Sequence, residues 1–355
     1  MTAAPRPATF DRRRRRARRA VVGGVVIFAA VQLGYGLFAE LYPRARDPLY
    51  GDKLVKLRRR LRDADGGKSV VMLGSSRTGM AFHAAVVEQQ LGRDRVTAFN
   101  FGVPSAGPVT QLLYFNRLLR DGVSPDLLLV EVLPSLLAPN AAGLAQESGL
   151  LFADRLTFSE CATVARFGFP ADAVRARWAR TVVLPAYWLR FQTMTRLLPS
   201  SLPWHVRFDW SRGADDDGFG RAASQVTDAP TCAKAVEQAR REYAPILADY
   251  TPGGPAVAAL EELLALCRER GVAVRLVLMP EAAGFRDYFP APGYARLLTL
   301  LHALEIRYDA PLVNAREWLI DDAFSDGHHT FVTGADAFTE RLTRDAIDPA
   351  LKAGR

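Results

Sequence analysis

The stretch VVMLGSSRTGM (residues 70–80) places four apolar residues before Gly74, then Ser75 and Ser76, then Arg77-Thr78-Gly79. A short apolar run bounded by glycine is typical of a strand that is covered on both faces, as in a parallel sheet. The carboxyl end of such a strand lies at the rim where α/β proteins bind their ligands. The two serines are therefore candidate functional residues if a base reaches either of them.

Further strands and helices alternate along the chain outside this stretch. Four more runs read as strands: residues 96–100, 126–133, 272–280 and 310–314. Between them, helical spacing is clearest at Leu260, Leu263, Leu264 and Cys267, which follow the pattern i, i+3, i+4, i+7. Alternation of this kind predicts the α/β class, with a parallel sheet flanked by helices in a flavodoxin-like, three-layer arrangement.

The chain divides by composition into four parts. Residues 1–19 are predicted to be a basic cytoplasmic tail, 20–41 a transmembrane signal anchor, 42–68 a charged juxtamembrane segment and 69–348 the α/β domain. Within that domain, residues 137–250 hold scattered aromatic residues and prolines without a clear strand, and they are interpreted as a helical insertion. The basic run in the juxtamembrane segment indicates either a solvated helix face or a second element on the membrane surface.

The net charge of +8 is concentrated at the N-terminus. Eight arginines and one aspartate within residues 1–19 give +7, so the remainder is nearly neutral and nucleic-acid binding is not expected. Residues 20–39 follow, with Gln32 as their only polar interruption, and twenty helical residues reach ~30 Å, the thickness of a bilayer core. The basic flank predicts a cytoplasmic N-terminus, a single pass through the plasma membrane and an extracytoplasmic domain. A cleaved signal peptide and a soluble helix are the alternatives.

A base for the serine is sought among five histidines. His83, His205 and His302 are expected to be structural or surface residues. His328 and His329 differ, because they follow the last strand in FSDGHHTFVTGADAF (residues 324–338) and so lie at the rim where the serines are expected. Asp326 precedes them in an Asp-Gly turn that lets its carboxylate fold back onto an imidazole and hold its tautomer.

These residues resemble the blocks of the SGNH/GDSL hydrolase superfamily. Gly74-Ser75-Ser76 is similar to the first block, Gly-x-Ser, which makes Ser76 the nucleophile, with Ser75 where aspartate usually stands. Asp326-Gly327-His328-His329 fits the last block, Asp-x-x-His, which makes His329 the base and Asp326 the residue that orients it. The resemblance covers about residues 69–135 and 255–345.

The second and third blocks bear on the oxyanion hole. Residues 100–107, NFGVPSAG, are similar to the second block, Asn-x-Gly-x-x-Gly, with Ser105 at the position of the oxyanion glycine. The backbone N–H groups of Ser76 and Ser105 are the expected donors, and Gly107 is a further candidate. The third block, Gly-x-Asn-Asp, is absent, because Leu133-Pro134-Ser135 follows the strand at 126–133. In this respect the chain looks more like the membrane-anchored, exported branch, which includes proteins linked to alginate O-acetylation and teichoic acid D-alanylation.

Three other kinds of site compete for these motifs. A phosphate-binding loop would also place glycines at a helix start, but the P-loop ending and the dinucleotide fingerprint are missing. A metal site at Asp326, His328 and His329 is disfavoured because adjacent histidines do not easily point to one ion. Asp215 to Asp217 lack the alternating spacing of a calcium loop and are interpreted as a solvated loop.

The sequence thus predicts a membrane-anchored serine esterase or O-acyltransferase that needs no cofactor or metal. Its expected partners are an acylated carbohydrate or other ester of the cell envelope, the membrane through residues 20–41, and a membrane-bound acyl donor. The alternative is a non-catalytic, membrane-tethered binding or assembly module that keeps the fold. The missing third block favours the module, and the presence of Ser76, Asp326 and His329 favours the enzyme.

Overall fold

The sheet determines where each loop of the molecule lies. The computed structural model describes residues 8–64, 66–138, 147, 153–203, 207 and 213–354, with residues 8–11 and 153 described by their backbone alone. Within these residues, five parallel strands lie in the spatial order β2-β1-β3-β4-β5. They are β1 (Lys68–Gly74), β2 (Val96–Gly102), β3 (Leu127–Val132), β4 (Ala273–Leu278) and β5 (Leu312–Asn314). The predicted α/β class is confirmed, and the sheet is compatible with the SGNH-like fold.

Helices form most of the remaining described residues. In chain order they are α1 (Ala8–Leu41), α2 (Pro43–Arg46), α3 (Pro48–Asp63), α4 (Ser76–Ala81), α5 (Ala84–Leu91), α6 (Pro108–Arg120), α7 (Phe158–Arg166), α8 (Ala171–Val183), α9 (Pro185–Trp188), α10 (Arg190–Leu197), α11 (Ala229–Leu247), α12 (Gly254–Arg270), α13 (Ala283–Arg286), α14 (Ala291–Tyr308), α15 (Val332–Leu342) and α16 (Asp348–Lys352). Between β3 and β4, the described residues form helices and turns, and none of them forms a strand.

The two faces of the sheet bury separate cores because successive side chains of a strand point in opposite directions. Val71 and Leu73 of β1 lie in a core that includes residues of α3, α6, α12 and α14. Val70 and Met72 lie in a second core with residues of α5 and α15. All four side chains are at most 1% exposed, and full burial of such a side chain contributes about 1.5–3 kcal/mol.

The strand register brings the functional loops to one edge. Gly74 pairs with Gly102, and Leu73 pairs with Val130, so β1, β2 and β3 end close together. The strand order changes direction between β1 and β3, and open α/β sheets bind their ligands at such a switch point. The turn that carries Ser76 follows β1 directly and therefore lies at this switch point.

The juxtamembrane segment is packed into the body. Tyr50 of α3 contacts the rings of Phe101 and Tyr114 and is 2% exposed. Leu54 and Leu57 of the same helix are buried in the core that contains α6. The basic run of this segment therefore belongs to a helix that covers the sheet, and its first lysine, Lys53, is buried there.

A buried ion cluster fixes the start of α3. Asp47 accepts from Tyr50 N–H at 3.3 Å and from Arg117 Nη1 at 2.8 Å, and it contacts Arg155 Nη1 at 3.3 Å. Arg117 also donates to both carboxylate oxygens of Glu160, at 2.9 and 2.8 Å. Burial raises the pKa of the Asp47 carboxyl, but Arg155 and Arg117 outweigh this effect and hold the pKa below its usual 3.8.

One helix among the described residues is long and apolar enough to cross a membrane. Its stretch Arg12–Leu41 lies near the N-terminus, and its most apolar part is outside the core. Val21, Ile27, Leu33 and Leu37 are each more than 60% exposed. A membrane anchor and a signal sequence both have these properties.

We expect Asp47→Asn to lower the free energy of unfolding by about 3–5 kcal/mol, because it removes a negative charge that faces the buried guanidinium groups of Arg117 and Arg155. Asparagine can keep the N-cap hydrogen bond, so the loss reports the charge. The folded-state pKa of Asp47 is depressed, so its contribution is present above the usual pKa of 3.8 and is lost as pH falls through the folded pKa. Wild-type stability should therefore decline below about pH 4 more steeply than that of the variant.

Chemical denaturation followed by circular dichroism at a series of pH values measures both effects. Asp216→Asn is the matched control, because the Asp216 side chain is 72% exposed and its ion pair with Arg59 lies on the surface. The control should change stability by about 0–1 kcal/mol. Equal losses in the two variants would contradict the role assigned to the buried cluster.

Candidate active site

The turn after β1 positions two serines differently. β1 ends at Gly74, and Ser75 is the N-cap of α4, where its Oγ accepts from Arg77 N–H at 3.1 Å. A Cβ at Gly74 would overlap Thr78 Oγ1 and the Glu131 carboxylate, so only glycine fits this position. Ser76 is the first residue of α4 and is left free of these contacts.

The carboxylate of Glu131 on β3 organises this turn. It accepts from the N–H and Oγ of Ser75 at 2.6 and 2.8 Å, and from the Oγ1 and N–H of Thr78 at 2.6 and 3.3 Å. Glu131 is 2% exposed, and a buried charge needs such partners. The hydroxyl of Ser75 is therefore committed to the structure of the turn.

The other serine contacts a histidine from the far end of the chain. Ser76 Oγ lies 2.8 Å from His329 Nε2, and His329 Nδ1 lies 2.6 Å from Asp326 Oδ2. Asp326 Oδ1 also accepts from the N–H groups of His328 and His329 at 3.1 and 2.8 Å. This is the spatial order of a nucleophile, a base and an orienting carboxylate.

The surroundings of Asp326 favour the ionised form of its carboxyl group, which faces His329. Burial raises the pKa of the Asp326 carboxyl, but the hydrogen bond from His329, the nearby imidazoles and the backbone N–H of His329 outweigh burial and lower it well below its usual range. The carboxylate is thus ionised at neutral pH and holds the Nδ1 proton on the imidazole. The Nε2 atom is then the acceptor that faces Ser76.

A second buried ion cluster ties the serine turn to the histidine loop. Arg77 is 1% exposed and donates to Glu281 Oε1 at 3.2 Å and to Pro280 O at 2.9 Å. Glu281 Oε2 accepts from Arg316 Nε at 2.6 Å. The next residue, Ala282, donates its N–H to Gly327 O at 2.9 Å, within the loop that carries His329. The end of β4 therefore holds both halves of the site.

His328 is a packing residue in this loop. Its ring contacts those of Phe285 and Tyr243, with centroid distances of 4.8 and 4.9 Å. Burial lowers the pKa of His328 well below its usual 6.5, and the neighbouring His329 adds to this effect. The imidazole of His328 is therefore neutral.

A metal ion is the other occupant that these residues could accept. The ligand atoms of Asp326, His328 and His329 lie within 4.8 Å of one another. The two adjacent histidines can therefore approach one ion, although their sequence positions disfavoured this. Both nitrogens of His329 already contact other side chains, Asp326 and Ser76. An ion would have to displace one of these contacts, so the arrangement favours proton transfer over coordination.

The expected oxyanion donors lie in different surroundings. Ser76 N–H is in the first turn of α4, where N–H groups have no acceptor within the helix. Ser105 has a φ of 55°, in the left-handed region that favours glycine, and it follows Pro104 in a turn closed by Ala106 N–H to Val103 O at 3.0 Å. Ser105 thus adopts a backbone conformation that favours glycine, the residue that the second block has at this position.

Gly107 faces a carboxylate instead. A Cβ at Gly107 would lie 2.7 Å from Glu147 Oε2, and hydrogen bonds from the backbone of Gly107, Val109 and Thr110 reach this carboxylate. Burial nevertheless raises the pKa of Glu147 to about 7. Glu147 therefore accepts the N–H of Gly107 at the start of α6. Ser76 and Ser105 remain the candidate donors to an oxyanion.

Other positions of the second and third blocks have structural roles. Asn100 donates from Nδ2 to Thr78 O at 2.8 Å and to Phe82 O at 2.6 Å, and it accepts from Gly102 N–H at 2.9 Å, which fixes α4 against β2. After β3, Pro134–Leu137 form a 3₁₀ turn in place of the third block. This turn supplies no side-chain amide to an oxyanion.

A small cavity of about 120 Å³ opens beside Ser76. Its lining is mostly glycine, alanine, proline and methionine, from Ser76, Gly79, Met80, Gly102, Pro104, Ala214, Gly218, Gly220, Ala223 and Lys53. Lys53 Nζ donates to Asn100 O at 2.8 Å and Gly218 O at 2.9 Å, and burial lowers its pKa to about 7. Four of the lining residues, at positions 214, 218, 220 and 223, belong to the predicted insertion, which therefore forms one wall of the cavity.

The acidic loop of the insertion is only partly solvated. Asp216 is exposed as expected, but Asp217 is 3% exposed, and its Oδ2 accepts from Ala85 N–H at 2.7 Å. The backbone of Asp217 also accepts from Asn100 N–H at 2.8 Å. The expectation of a solvated loop is wrong for Asp217, because the loop covers the edge strand β2.

The remaining described histidines, His83 and His302, contact side chains other than Ser76. His83 stacks on Phe219 with a centroid distance of 4.4 Å, and its Nδ1 lies 2.5 Å from Asp336 Oδ1. His302 is exposed and contacts Glu305. His205 lies outside the described residues.

Sequence reasoning missed the charged residues that support the site. Glu131 stands in the otherwise apolar run DLLLVEVL, and Arg77 follows the serines. A charge in a strand that is covered on both faces must be paired, so Glu131 carried a readable signal. Glu281 and Arg316 carried none, because their partners are distant in sequence.

We expect Glu281→Gln to reduce the free energy of unfolding by about 3–5 kcal/mol, since Arg77 and Arg316 lose their shared buried carboxylate. Glu262→Gln is the control, because Glu262 pairs with Arg166 on the surface, and it should cost about 0–1 kcal/mol. Urea denaturation measures both variants. A loss in Glu281→Gln no larger than in the control would refute the bracing role of the cluster.

Comparison with known proteins adds one partial match. A family profile described as "Protein of unknown function (DUF1574)" matches residues 38–155, about a third of the chain. The matched segment contains α3, β1, Ser76, β2 and β3, and it ends before Asp326 and His329. No curated protein matches the chain. The chain is thus similar to this family over the segment that contains the first three strands of the sheet.

Proposed function

We propose that this protein is a membrane-anchored serine esterase or O-acyltransferase of the SGNH type. The observation that carries the proposal is the array of Ser76, His329 and Asp326, in which two hydrogen bonds of 2.8 and 2.6 Å connect an alcohol to a largely buried carboxylate that is 14% exposed. The commitment of Ser75 to Glu131 supports Ser76 as the nucleophile.

The reaction follows from these contacts. His329 Nε2 takes the proton of Ser76 Oγ as the oxygen attacks the ester carbonyl, and Asp326 stabilises the imidazolium. The tetrahedral intermediate collapses, the ester C–O bond breaks, and the imidazolium gives its proton to the leaving alcohol. A water molecule or a sugar hydroxyl then attacks the acyl-enzyme with His329 as base, which releases a carboxylic acid or transfers the acyl group.

The oxyanion would be held by the N–H groups of Ser76 and Ser105. Without a third-block amide the hole has one donor fewer than in the related hydrolases, and one donor is worth about 10²–10³ in rate in a well-studied protease. A slow hydrolase, or one that turns over faster with a specific acceptor, is therefore expected. The same deficit is the reason to keep the non-catalytic module as the second candidate.

The size of the neighbouring cavity suggests a short acyl group. Its volume of about 120 Å³ is well below the 300–1,000 Å³ of sites for drug-sized ligands. The small, mostly apolar lining suits the methyl end of an acetyl or similarly short chain. The open side would then face the alcohol part of the ester, for which we propose a glycan of the cell envelope or an exported glycan.

The location is part of the proposal. The arginines at the N-terminal end of α1 would remain in the cytoplasm, the apolar stretch of α1 would cross the plasma membrane once, and the body with Ser76 would lie outside the cytoplasm. Transfer of an acyl group in that compartment requires that the acyl group be supplied across the membrane. We therefore propose a membrane-bound acyl donor as a partner.

A fluorophosphonate probe tests the nucleophile. Wild-type protein should be labelled, Ser76→Ala should lose labelling, and Asp326→Asn should be labelled about 10⁴-fold more slowly because its imidazole takes the wrong tautomer. Ser75→Ala is the matched control, since it removes the neighbouring hydroxyl and a helix cap but leaves Ser76. It should keep labelling while losing about 1–2 kcal/mol of stability.

Three results would count against the enzyme. Folded wild-type protein that is not labelled supports the non-catalytic module. Labelling that persists in Ser76→Ala assigns the reaction to another residue. Ester hydrolysis that is abolished by a chelator and restored by a divalent metal supports the metal site at Asp326, His328 and His329.

The cavity predicts the chain-length preference. Met80 lines it, so Met80→Ala should enlarge it and raise the ratio of kcat/KM for p-nitrophenyl hexanoate over acetate by about tenfold or more, the worth of fitting extra methylenes. Met194→Ala, on α10 and outside this lining, is the control and should leave the ratio unchanged. An unchanged ratio in Met80→Ala would show that the cavity does not bind the acyl group. It would leave the assignment of Ser76 as the nucleophile unaffected.

A further inference from the structure

One face of α1 packs against the insertion. Gln32, Tyr35, Gly36 and Ala39 are partly or fully buried, at the spacing i, i+3, i+4, i+7 of a single helical face. The other residues of this stretch, such as Leu33 and Leu37, are exposed. The candidate membrane helix therefore has a protein-facing side.

The partners of this face are α9 and α10. Ala186 N–H donates to Gln32 Oε1 at 3.2 Å, and Tyr35 contacts Leu189 O at 3.4 Å and the Thr193 hydroxyl. A Cβ at Gly36 would lie 3.5 Å from Pro185 Cγ, which is ordinary contact distance. Gln32, the one polar residue of the apolar run, thus receives a hydrogen bond from the insertion.

The same part of the insertion exposes apolar side chains, which we call the apolar seat. Its members are Val182, Val183, Leu184, Tyr187, Leu197 and Leu198. Val183 is 67% exposed and Leu197 is 73% exposed. All six fall within residues 182–198, and apolar side chains that are exposed together on a folded protein mark an interaction surface.

The position of the seat along α1 sets its depth. From Gln32 to Glu40, the first charged residue after the apolar run, the helix advances eight residues, or ~12 Å at 1.5 Å per residue. If α1 spans a bilayer, Ala186 lies at that level, within the hydrocarbon boundary of the leaflet. Interfacial helices bury their apolar faces about 5–10 Å into this zone.

The charges around the seat suit lipid headgroups. Residues 173–208 contain six arginines and no acidic residue, and two of the six, Arg177 and Arg196, pair with Asp154 and Asp52 outside this stretch. Arg175 and Arg180 are exposed on α8, and Arg190 stacks on Tyr187 and Phe191 at 4.0 and 4.3 Å. Arginine and tyrosine are suited to the level of the phosphate groups, because their stems pack on apolar surface while their polar ends stay at the interface.

We infer that the apolar seat is embedded in the lipid leaflet at the C-terminal end of α1, so that the body is attached to the bilayer at two places. The inference rests on the proposed membrane anchor. The occupant is the phospholipid of the membrane that α1 would cross, because Leu184 and Tyr187 of the seat flank the two residues, Pro185 and Ala186, that contact the apolar stretch of that helix. The body is then held at a fixed height above the bilayer.

Spin labels in full-length protein test the inference. The background is Cys232→Ser, since Cys161 and Cys267 are buried and burial raises their thiol pKa values to about 11 and about 12. Val183→Cys and Leu197→Cys place nitroxides on the seat. Ile306→Cys, which is 85% exposed on α14, is the aqueous control, and Val25→Cys on α1 reports the anchor itself.

The labelled proteins are reconstituted into vesicles of phosphatidylethanolamine and phosphatidylglycerol, and collisions with oxygen and with a nickel chelate are compared. We expect labels at 183 and 197 to lie about 5–10 Å below the phosphates, while 306 is aqueous and 25 is deeper. Labels at 183 and 197 as accessible to nickel as 306, with 25 still deep, would overturn the seat and leave the anchor. Labels shielded from both reagents would indicate a protein partner and would also overturn it. A label at 25 that collides with nickel would overturn the anchor and the seat together.

Discussion

The buried carboxylate of Glu131 is the constraint on which the candidate site depends. It lies between β3 and the turn after β1, and four hydrogen bonds from Ser75 and Thr78 satisfy it. Because a buried charge is stable only with such partners, the turn has one arrangement. That arrangement commits one hydroxyl to structure and leaves the hydroxyl of Ser76 for His329.

The histidine loop depends on a second buried charge set at the end of β4. Arg77, Glu281 and Arg316 connect the start of α4 with the segment after β4, and Ala282 holds Gly327 through the backbone. Parallel strands end at one edge, so groups 253 residues apart in sequence meet over 2.8 Å. The geometry of the site therefore depends on the strand order and on two sets of buried charged groups that hold the loops in place, the Glu131 carboxylate and the Arg77–Glu281–Arg316 cluster.

The N-terminal helices α1 and α3 both pack against the body of the protein. α3 contributes Tyr50, Leu54 and Leu57 to the core, and Lys53 of the same helix joins β2 to the acidic loop that walls the cavity beside Ser76. One face of α1 packs on α9 and α10. α3, which follows the candidate membrane helix, thus packs directly against the elements that shape the site, and the proposed anchor would fix the orientation of the site relative to the membrane.

The sequence by itself determined the element types, the α/β class and the apolar helix, because these depend on local periodicity and length. It also singled out Ser76, Asp326 and His329 through their places after strands, although their catalytic role remains a prediction. Only the tertiary structure decided that Ser75 serves Glu131, that Gly107 faces Glu147, that Asp217 is buried and that Glu281 joins two arginines. Each of these depends on which polar groups meet across the sheet, and that pairing is set by strand order and loop path, which local patterns do not encode.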